Sequence, residues 1–566
     1  MKINSLLLIA CCILIIPVTS CKDEGDQTAI TPQNETSYKS RYYIDPENGA
    51  YYNTGHSPSQ AWESVDRVNA QTWQPGDTIL IKRGTVYNAP LTLEGDGTAE
   101  KPIVIMAYGD ESLPLPEING MGQTDQTVLI KNVQYWELHN LKITNKGDTP
   151  RPKSIGIYIM AQNIPGGVMR HIHIKNCIIA DVYGTKSREA GEGGAGIRYY
   201  NLIGGTTASR FDDFVVENCQ ILNCQRDGLA GYIDTGDRSK LKLSTGFVFR
   251  NNLFEGVSGD QILVDGADGA LVEGNIVRKC AENDPIVPGV AEASASLWCM
   301  HSDNSVFRGN IVQDNTAAWD GEAFDCDQNC QNSLFEYNIT YNNSGGCFLL
   351  CPADAGYNQN FVQNTNTVVR YNISINDGTR DYVKSNGETL SSQIDVVGRV
   401  ASCYIYNNTF IKTKSAPNHP DNRAINFDSY TNIVNSLYFM NNIFYNTTGV
   451  ANEFCSAHHG NLLENTGVHF HNNCIYGYAT QAPGNGAYNS GNIYVDPKFV
   501  QLVEDFDNQE IDKDVILNGL KLLAGSPCLN TGYAGADIPY AAQFPVTNDF
   551  WGDLVGTTHN IGAFNH

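Results

Sequence analysis

WDGEAFDCDQNCQNSLFEYNITYNNSGGCFLLCP, residues 319 to 352, contains both the repeat that decides the fold and a concentration of acidic side chains. Its middle, SLFEYNITYNN (333 to 343), alternates apolar residues up to Asn338 and resumes the alternation after it. That Asn between two short apolar strands recurs along the chain: HNLKI at Asn140, KNCII at Asn176, ENCQI at Asn218, NNLF at Asn252 and GNIV at Asn275. It continues through Asn310, Asn338, Asn372, Asn408, Asn442 and Asn473. The closest pair, Asn252 and Asn275, is 23 residues apart, and the longer spacings read as the same unit with loops inserted. A unit of that length is too short for a strand, helix, strand crossover and has no helical periodicity. Its strands must pair in parallel with the equivalent strands of the next unit, which makes the chain a solenoid. Stacking at about 4.8 Å would let each Asn amide donate to the one above and accept from the one below, so these asparagines read as structural.

Outward from this core pattern, the chain starts with Lys2 and an apolar run from Leu6 to Ile16 that is too short to cross a bilayer as a mature helix. The run ends in Val18-Thr19-Ser20-Cys21, which resembles a bacterial lipobox. That resemblance implies a signal peptide over residues 1–20, lipidation of Cys21 and an outer membrane lipoprotein. Lys22-Asp23-Glu24 resembles the signal that sends such lipoproteins to the cell surface in one large group of polysaccharide-feeding Gram-negative bacteria. Residues 21–40 are polar and read as a flexible tether, leaving 41–566 as one β-helix domain, expected to be monomeric. Ser57-Pro58-Ser59-Gln60 offers a capping box, and Ala61, Trp62, Val65 and Val68 follow at helical spacing, predicting an N-terminal helix over the open end of the solenoid.

The formal net charge is −24, from 37 basic and 61 acidic residues, which argues against nucleic acid as a partner. It also disfavours a polyanionic glycan unless a metal ion or a local basic groove compensates. Of 16 cysteines, Cys11 and Cys12 fall in the signal and Cys21 is the anchor, leaving an odd thirteen. Cys326, Cys330, Cys347 and Cys351 form two C-x3-C pairs offset by 21 residues, a spacing that is not a zinc signature. A 21-residue coil would set Cys326 under Cys347 and Cys330 under Cys351, within disulfide reach; matching Phe324 to Phe348 gives 24 residues and neither pair.

Tyr43-Ile44-Asp45-Pro46 with Gln74-Pro75-Gly76-Asp77-Thr78-Ile79, the Asn repeat, and the endings Asp496-Pro497-Lys498-Phe499, Ala524-Gly525-Ser526-Pro527 and Asn560-Ile561-Gly562-Ala563-Phe564 together resemble the pectate-lyase-like superfamily. The resemblance implies an all-β, single-stranded right-handed parallel β-helix, with the Tyr43 and Gln74 motifs as its N-terminal cap and the three endings as its last coils. It leaves the reaction open, because that superfamily holds hydrolases, lyases, esterases, epimerases and tailspikes.

The chemistry is argued from acids. Asp320, Glu322, Asp325 and Asp327 fall within eight residues, and alternation sets Asp325 and Asp327 on the face opposite Phe324 and Cys326. Counting back from the repeat Asn, Asp265, His301 and Asp327 occupy nearly the same place on successive coils, with Asp260 close by. Asp325, Asp327, Asp320 and Glu322 are therefore the candidate catalytic residues, with Asp260, Asp265 and His301 supporting substrate binding. Paired carboxylates suit hydrolysis of a polysaccharide without a cofactor, one donating a proton and the other acting on water or the anomeric carbon. The alternative is a pectate-type lyase in which calcium, held by Asp265, Asp325 and Asp327, neutralises a uronate and Arg226, Lys279 or Lys384 is the base. A glycan-binding surface protein without turnover is the third reading.

Overall fold

The computed structural model describes residues 40–187, 193–281, 293–351, 363–380, 392–415, 423–428, 432–433, 435–450, 452–456, 467–484, 488–502, 506, 510–533, 546–555 and 559–564. The signal segment, Cys21 and the tether up to residue 39, as well as Lys384, lie outside the described residues. From residue 40 onward the chain forms one unit in which three parallel sheets of 16, 11 and 13 strands are built coil by coil. One coil shows the plan. Ser244–Arg250 adds to the first sheet, Leu253–Glu255 to the third and Ile262–Asp265 to the second, before Leu271–Glu273 returns to the first directly beside its predecessor. The core inside the three walls is aromatic and aliphatic, with rings stacked along the coils: Phe307 and Phe335 are parallel at 4.6 Å, as are Phe439 and Phe470 at 5.1 Å.

The expected amide ladder runs from Asn252 through Asn275, Asn310, Asn338, Asn372, Asn408, Asn442 and Asn473 to Asn492, each Nδ2 donating to the next Oδ1 at 2.9 to 3.0 Å. Each amide also donates to a main-chain carbonyl and accepts a main-chain N–H, as Asn338 does with Phe307 O and Asn310 N, so all its hydrogen-bonding capacity is used. Asn140, Asn176 and Asn218 are not in this ladder. They hold φ of +54, +54 and +55°, at the left-handed turn that Asn251 occupies in the next coil. The ladder position in those coils belongs to Cys177 and Cys219, the latter accepting the Cys177 N–H and passing its own to Asn252. Asn was enriched at both positions for different reasons: amide satisfaction at one, tolerance of the left-handed conformation at the other.

The N-terminal helix is corrected to a three-residue 3-10 turn, Pro58–Gln60, and a four-residue helix, Asp66–Asn69. Ser57 makes no capping hydrogen bond, and Ala61 is extended at φ −62° and ψ 150°. The reason is the first strand, whose edge needs partners: Trp62 N donates to Tyr43 O and accepts back through its carbonyl from Asp45 N, so the segment pairs as a strand rung. Ala61, Trp62, Val65 and Val68 are buried all the same. The C-terminal motifs are also not final coils. After the rung at Asn492, the chain lays Phe506, Ile516, Leu517, Phe550 and Ile561 over Ile339, Ile373, Ile411 and Ile443 on the outside of the third sheet. That apolar exterior could not face water, and the returning segment covers it.

Phe324 pairs with Phe348 and Cys326 with Leu350, so the coil at the opening stretch is 24 residues and the 21-residue register is wrong. A 21-residue register would have brought Phe348 opposite Asp327 and put an aromatic ring among the acids. All thirteen described cysteines are free thiols, twelve of them buried.

Candidate active site

The acids sit on the outer side of the second sheet. Trp298 pairs with Asp325, Asp325 with Leu349 and Leu349 with Asp395, forming one row across four coils, while Phe324 and Cys326 point into the core as alternation requires. Outward does not mean exposed here: Asp325 is 5% and Glu322 0% exposed, whereas Asp320 and Asp327 keep partial exposure. Asp320 at φ +55° and Gly321 at φ +83° turn the chain into the strand Glu322–Cys326. A non-glycine residue held in this region marks a place where side-chain position outweighs backbone comfort.

Burial is the largest influence on three of these carboxyls. It pushes Glu322 and Asp325 well above the usual carboxylate range, and the neighbouring charges of Asp320 and of Asp327 respectively push the same way. Neither oxygen of Glu322, nor Asp325 Oδ1, has a hydrogen-bond partner among the described residues, which fits a neutral acid. Asp327 is pushed up to about 7 by burial, against the opposing pull of the Gln328 N–H at 2.6 Å and of His301. His301 Nδ1 lies 2.8 Å from Asp265 Oδ1, and Asp265 Oδ2 accepts the Ile233 N–H at 3.1 Å. Burial is the largest single influence on His301 and lowers it, but the charge and hydrogen bond of Asp265 together with the charge of Asp327 raise it on balance. Asp265, His301 and Asp327 thus form one electrostatic line that ends at the partly exposed acid.

Asp260 is placed differently. It takes Arg226 Nη2 at 2.6 Å, and Arg226 Nε reaches Asp227 at 3.2 Å. Asp227 also receives Arg198 Nη2 at 3.2 Å and the Tyr232 hydroxyl at 2.8 Å. This buried chain of charges forms a floor beside the acid row. It holds Arg226 above its ordinary value and engages its guanidinium with two carboxylates. Lys279 pairs with Glu255 at 3.7 Å beside the third sheet, away from the acids. Among the described residues, Asp265, Asp325 and Asp327 are not a group whose ligand atoms all lie within 4.8 Å of one another.

Sequence reasoning missed Trp298, Arg380 and Asp395. Arg380 donates to the carbonyls of Ala318 and Asp320 and is pulled below its usual value by burial, against Glu322, Asp320 and Asp395. Asp395 is pushed up to about 8 by burial and accepts Asn426 Nδ2 at 3.0 Å. Trp298 was legible in principle, one coil before Asp325, once the coil length there was known. Asp395 was not, because the long insertion before it breaks any count.

A family model described as right handed beta helix region matches residues 201–410. The fold is a right-handed parallel β-helix. The chain is 26% identical to lacto-N-biosidase of Bifidobacterium longum subsp. longum, over 95% of this chain and 37% of that protein, so it spans little more than a third of that relative's length. The crystal structure of GH136 lacto-N-biosidase from Eubacterium ramulus matches with TM-score 0.54 and 25% identity, over 69% of this chain and 67% of that one. The structure of XylC with xylose matches with TM-score 0.53 over 93% of this chain and 98% of that one. At 12% identity it speaks for the fold alone.

Proposed function

We propose that the chain is a glycoside hydrolase acting on a complex glycan through Asp327 and Asp320. The observation that carries this is the division among the four clustered acids. Glu322 and Asp325 are sealed, while the two that a substrate can reach are Asp320 and Asp327, and Asp327 holds its proton up to about 7. Asp327 gives that proton to the glycosidic oxygen, steadied by His301 on its Asp265 support. Asp320 supplies the second carboxylate, acting on water or on the anomeric carbon. Trp298, 7% exposed in the row of Asp325, forms an apolar wall behind them with Leu263 and Ala295. Similarity to the two lacto-N-biosidases makes the substrate of that activity the first to try.

The test is a panel of glycans with products read by mass spectrometry. Hydrolysis adds one water across the broken bond; a product lacking that water and carrying a double bond would turn the assignment to elimination. Because the donor must be protonated, the hydrolytic rate is expected to fall about tenfold per pH unit above pH about 7, the value to which Asp327 is pushed. A rate unchanged between pH 6 and 9 would remove Asp327 from that role.

The proposal includes a surface location, with Cys21 lipidated and residues 21–40 as tether. Metabolic labelling with a palmitate analogue is expected to mark the wild-type protein, and Cys21→Ala to abolish the label and free the protein from the membrane fraction. A labelled Cys21→Ala protein contradicts the anchor.

A further inference from the structure

A second cluster of ionisable side chains stands on the first sheet, on a different wall from the acid row. The strands Trp136–His139, Val168–Lys175 and Arg210–Glu217 come from three successive coils, and His173 pairs directly with Glu137 on one side and Val215 on the other. Leu138, Ile172 and Ile174 go to the core; Glu137, His139, His171, His173 and Asp213 gather on the outside, each partly shielded. His171 and Asp213 sit at φ +54° and +64°, at the step where the following coil has Gly246 at φ +68°. Two residues with side chains thus hold a backbone conformation that glycine adopts at lower cost, and those side chains meet.

The pairing within the cluster has a direction. Asp213 spreads its two oxygens over one nitrogen of each ring, with His171 Nδ1 at 2.7 Å and His173 Nε2 at 2.8 Å. The other nitrogens remain: His171 Nε2 is 2.9 Å from Glu137 Oε1, and His173 Nδ1 is buried with no hydrogen-bond partner among the described residues. Glu137 is fixed in turn through its second oxygen by His139 Nε2 at 2.8 Å. One ligand atom each from Glu137, His171 and His173 already lies within 4.8 Å of the others. A tetrahedral ion with bonds of about 2.0 Å needs its ligand atoms about 3.3 Å apart, so these atoms would draw in by up to about 1.5 Å. A carboxylate behind each ligating imidazole is the arrangement that fixes tautomer and ring orientation in zinc sites. Asp213 holds each ring by one nitrogen and leaves His171 Nε2 and His173 Nδ1 as the atoms that would ligate.

We propose that Glu137, His171 and His173 bind one divalent transition metal ion of the zinc class, oriented by Asp213 and His139, and so tie two successive coils together, with Asp213 of the third coil holding both imidazoles. The nitrogen and oxygen ligands favour zinc, nickel or copper over calcium or magnesium, and a water completes the coordination.

The full mature chain, freed of any affinity tag and stripped with a chelator, is titrated with cobalt(II) chloride and then zinc chloride. Saturation at one ion per chain is expected, with cobalt d–d bands and no sulfur-to-cobalt charge transfer. His173→Ala is expected to lose at least about a hundredfold in affinity, and Asp213→Asn about tenfold or more. Circular dichroism checks that both variants fold; if His173→Ala does not, the wild-type spectrum and Asp213→Asn decide. No saturable binding, or unchanged affinity in the folded variants, overturns the proposal. Thiolate bands overturn it too, because they would point to Cys299, Cys326 and Cys330, whose sulfurs cluster in the core.

Discussion

Asp327→Asn is expected to lower turnover at least about a hundredfold while leaving the protein folded, because a general acid in the transition state typically contributes 10²- to 10⁴-fold. Asn has the same shape, and its carbonyl can still accept the Gln328 N–H that now meets Asp327 at 2.6 Å. Only the transferable proton is lost. Asp320→Asn should cost a similar factor through loss of the second carboxylate. Asp325→Asn should stay within about tenfold of wild type, since burial already keeps Asp325 neutral and an amide replaces a neutral carboxyl. A substrate whose leaving group departs without protonation, such as a nitrophenyl glycoside, separates the roles: it should restore much of the rate to Asp327→Asn and none to Asp320→Asn. If Asp325→Asn proves as damaging as Asp327→Asn on a natural glycan, the proton donor is Asp325 and the two-residue choice made from exposure is wrong.

The fold was legible because its signal is repetitive. From Asn252 to Asn473 the recurring Asn marks the same rung in eight coils, and any one misread coil is outvoted by the others. Where the repeat is weaker, the reading slipped by one residue. Asn140, Asn176 and Asn218 lie next to the ladder position, because a left-handed turn selects Asn as strongly as a ladder does. The N-terminal helix failed for a related reason. Helical spacing of Trp62, Val65 and Val68 was real, but the free backbone edge at Tyr43 and Asp45 outweighed local propensity. The site was only half legible. Alternation put Asp325 and Asp327 on the correct side of their strand, and the count back from the ladder Asn brought Asp265 and His301 to Asp327. Burial, however, depends on what covers the outer face of the second sheet, and alternation carries no information on that. It could not separate sealed Glu322 and Asp325 from reachable Asp320 and Asp327, nor reveal that Arg226 is consumed by Asp227 and Asp260. The Cys register was decided by the ring of Phe348, a packing preference that a count of cysteines does not contain.

Asn338→Ala is expected to destabilise the solenoid by about 4 kcal/mol. In the native stack, Asn338 Oδ1 accepts the Asn310 N–H at 2.8 Å and Asn310 Nδ2 at 3.0 Å, while its own Nδ2 donates to Phe307 O at 3.0 Å and to Asn372 Oδ1 at 2.9 Å. All of this is out of reach of water. Alanine removes four hydrogen bonds and strands two donors on Asn310, and each stranded buried donor costs about 1 to 3 kcal/mol. Phe307 O loses its amide donor as well, whereas Asn372 Oδ1 still accepts the main-chain N–H of residue 338 at 3.0 Å and is the least affected. In a stack where each coil contacts chiefly its neighbours, the loss should be local. Amide exchange should accelerate in the strands around Phe307, Phe335 and Val369 and leave the coils near Ile174 unchanged. The control is Asn218→Gly, in the same sequence motif but at a left-handed, exposed position, where glycine keeps the backbone and nothing buried is stranded; its expected cost is below about 1 kcal/mol. Equal costs for the two variants would mean that Asn is selected in every coil for its backbone conformation, and that the side-chain ladder contributes little to holding the coils in register.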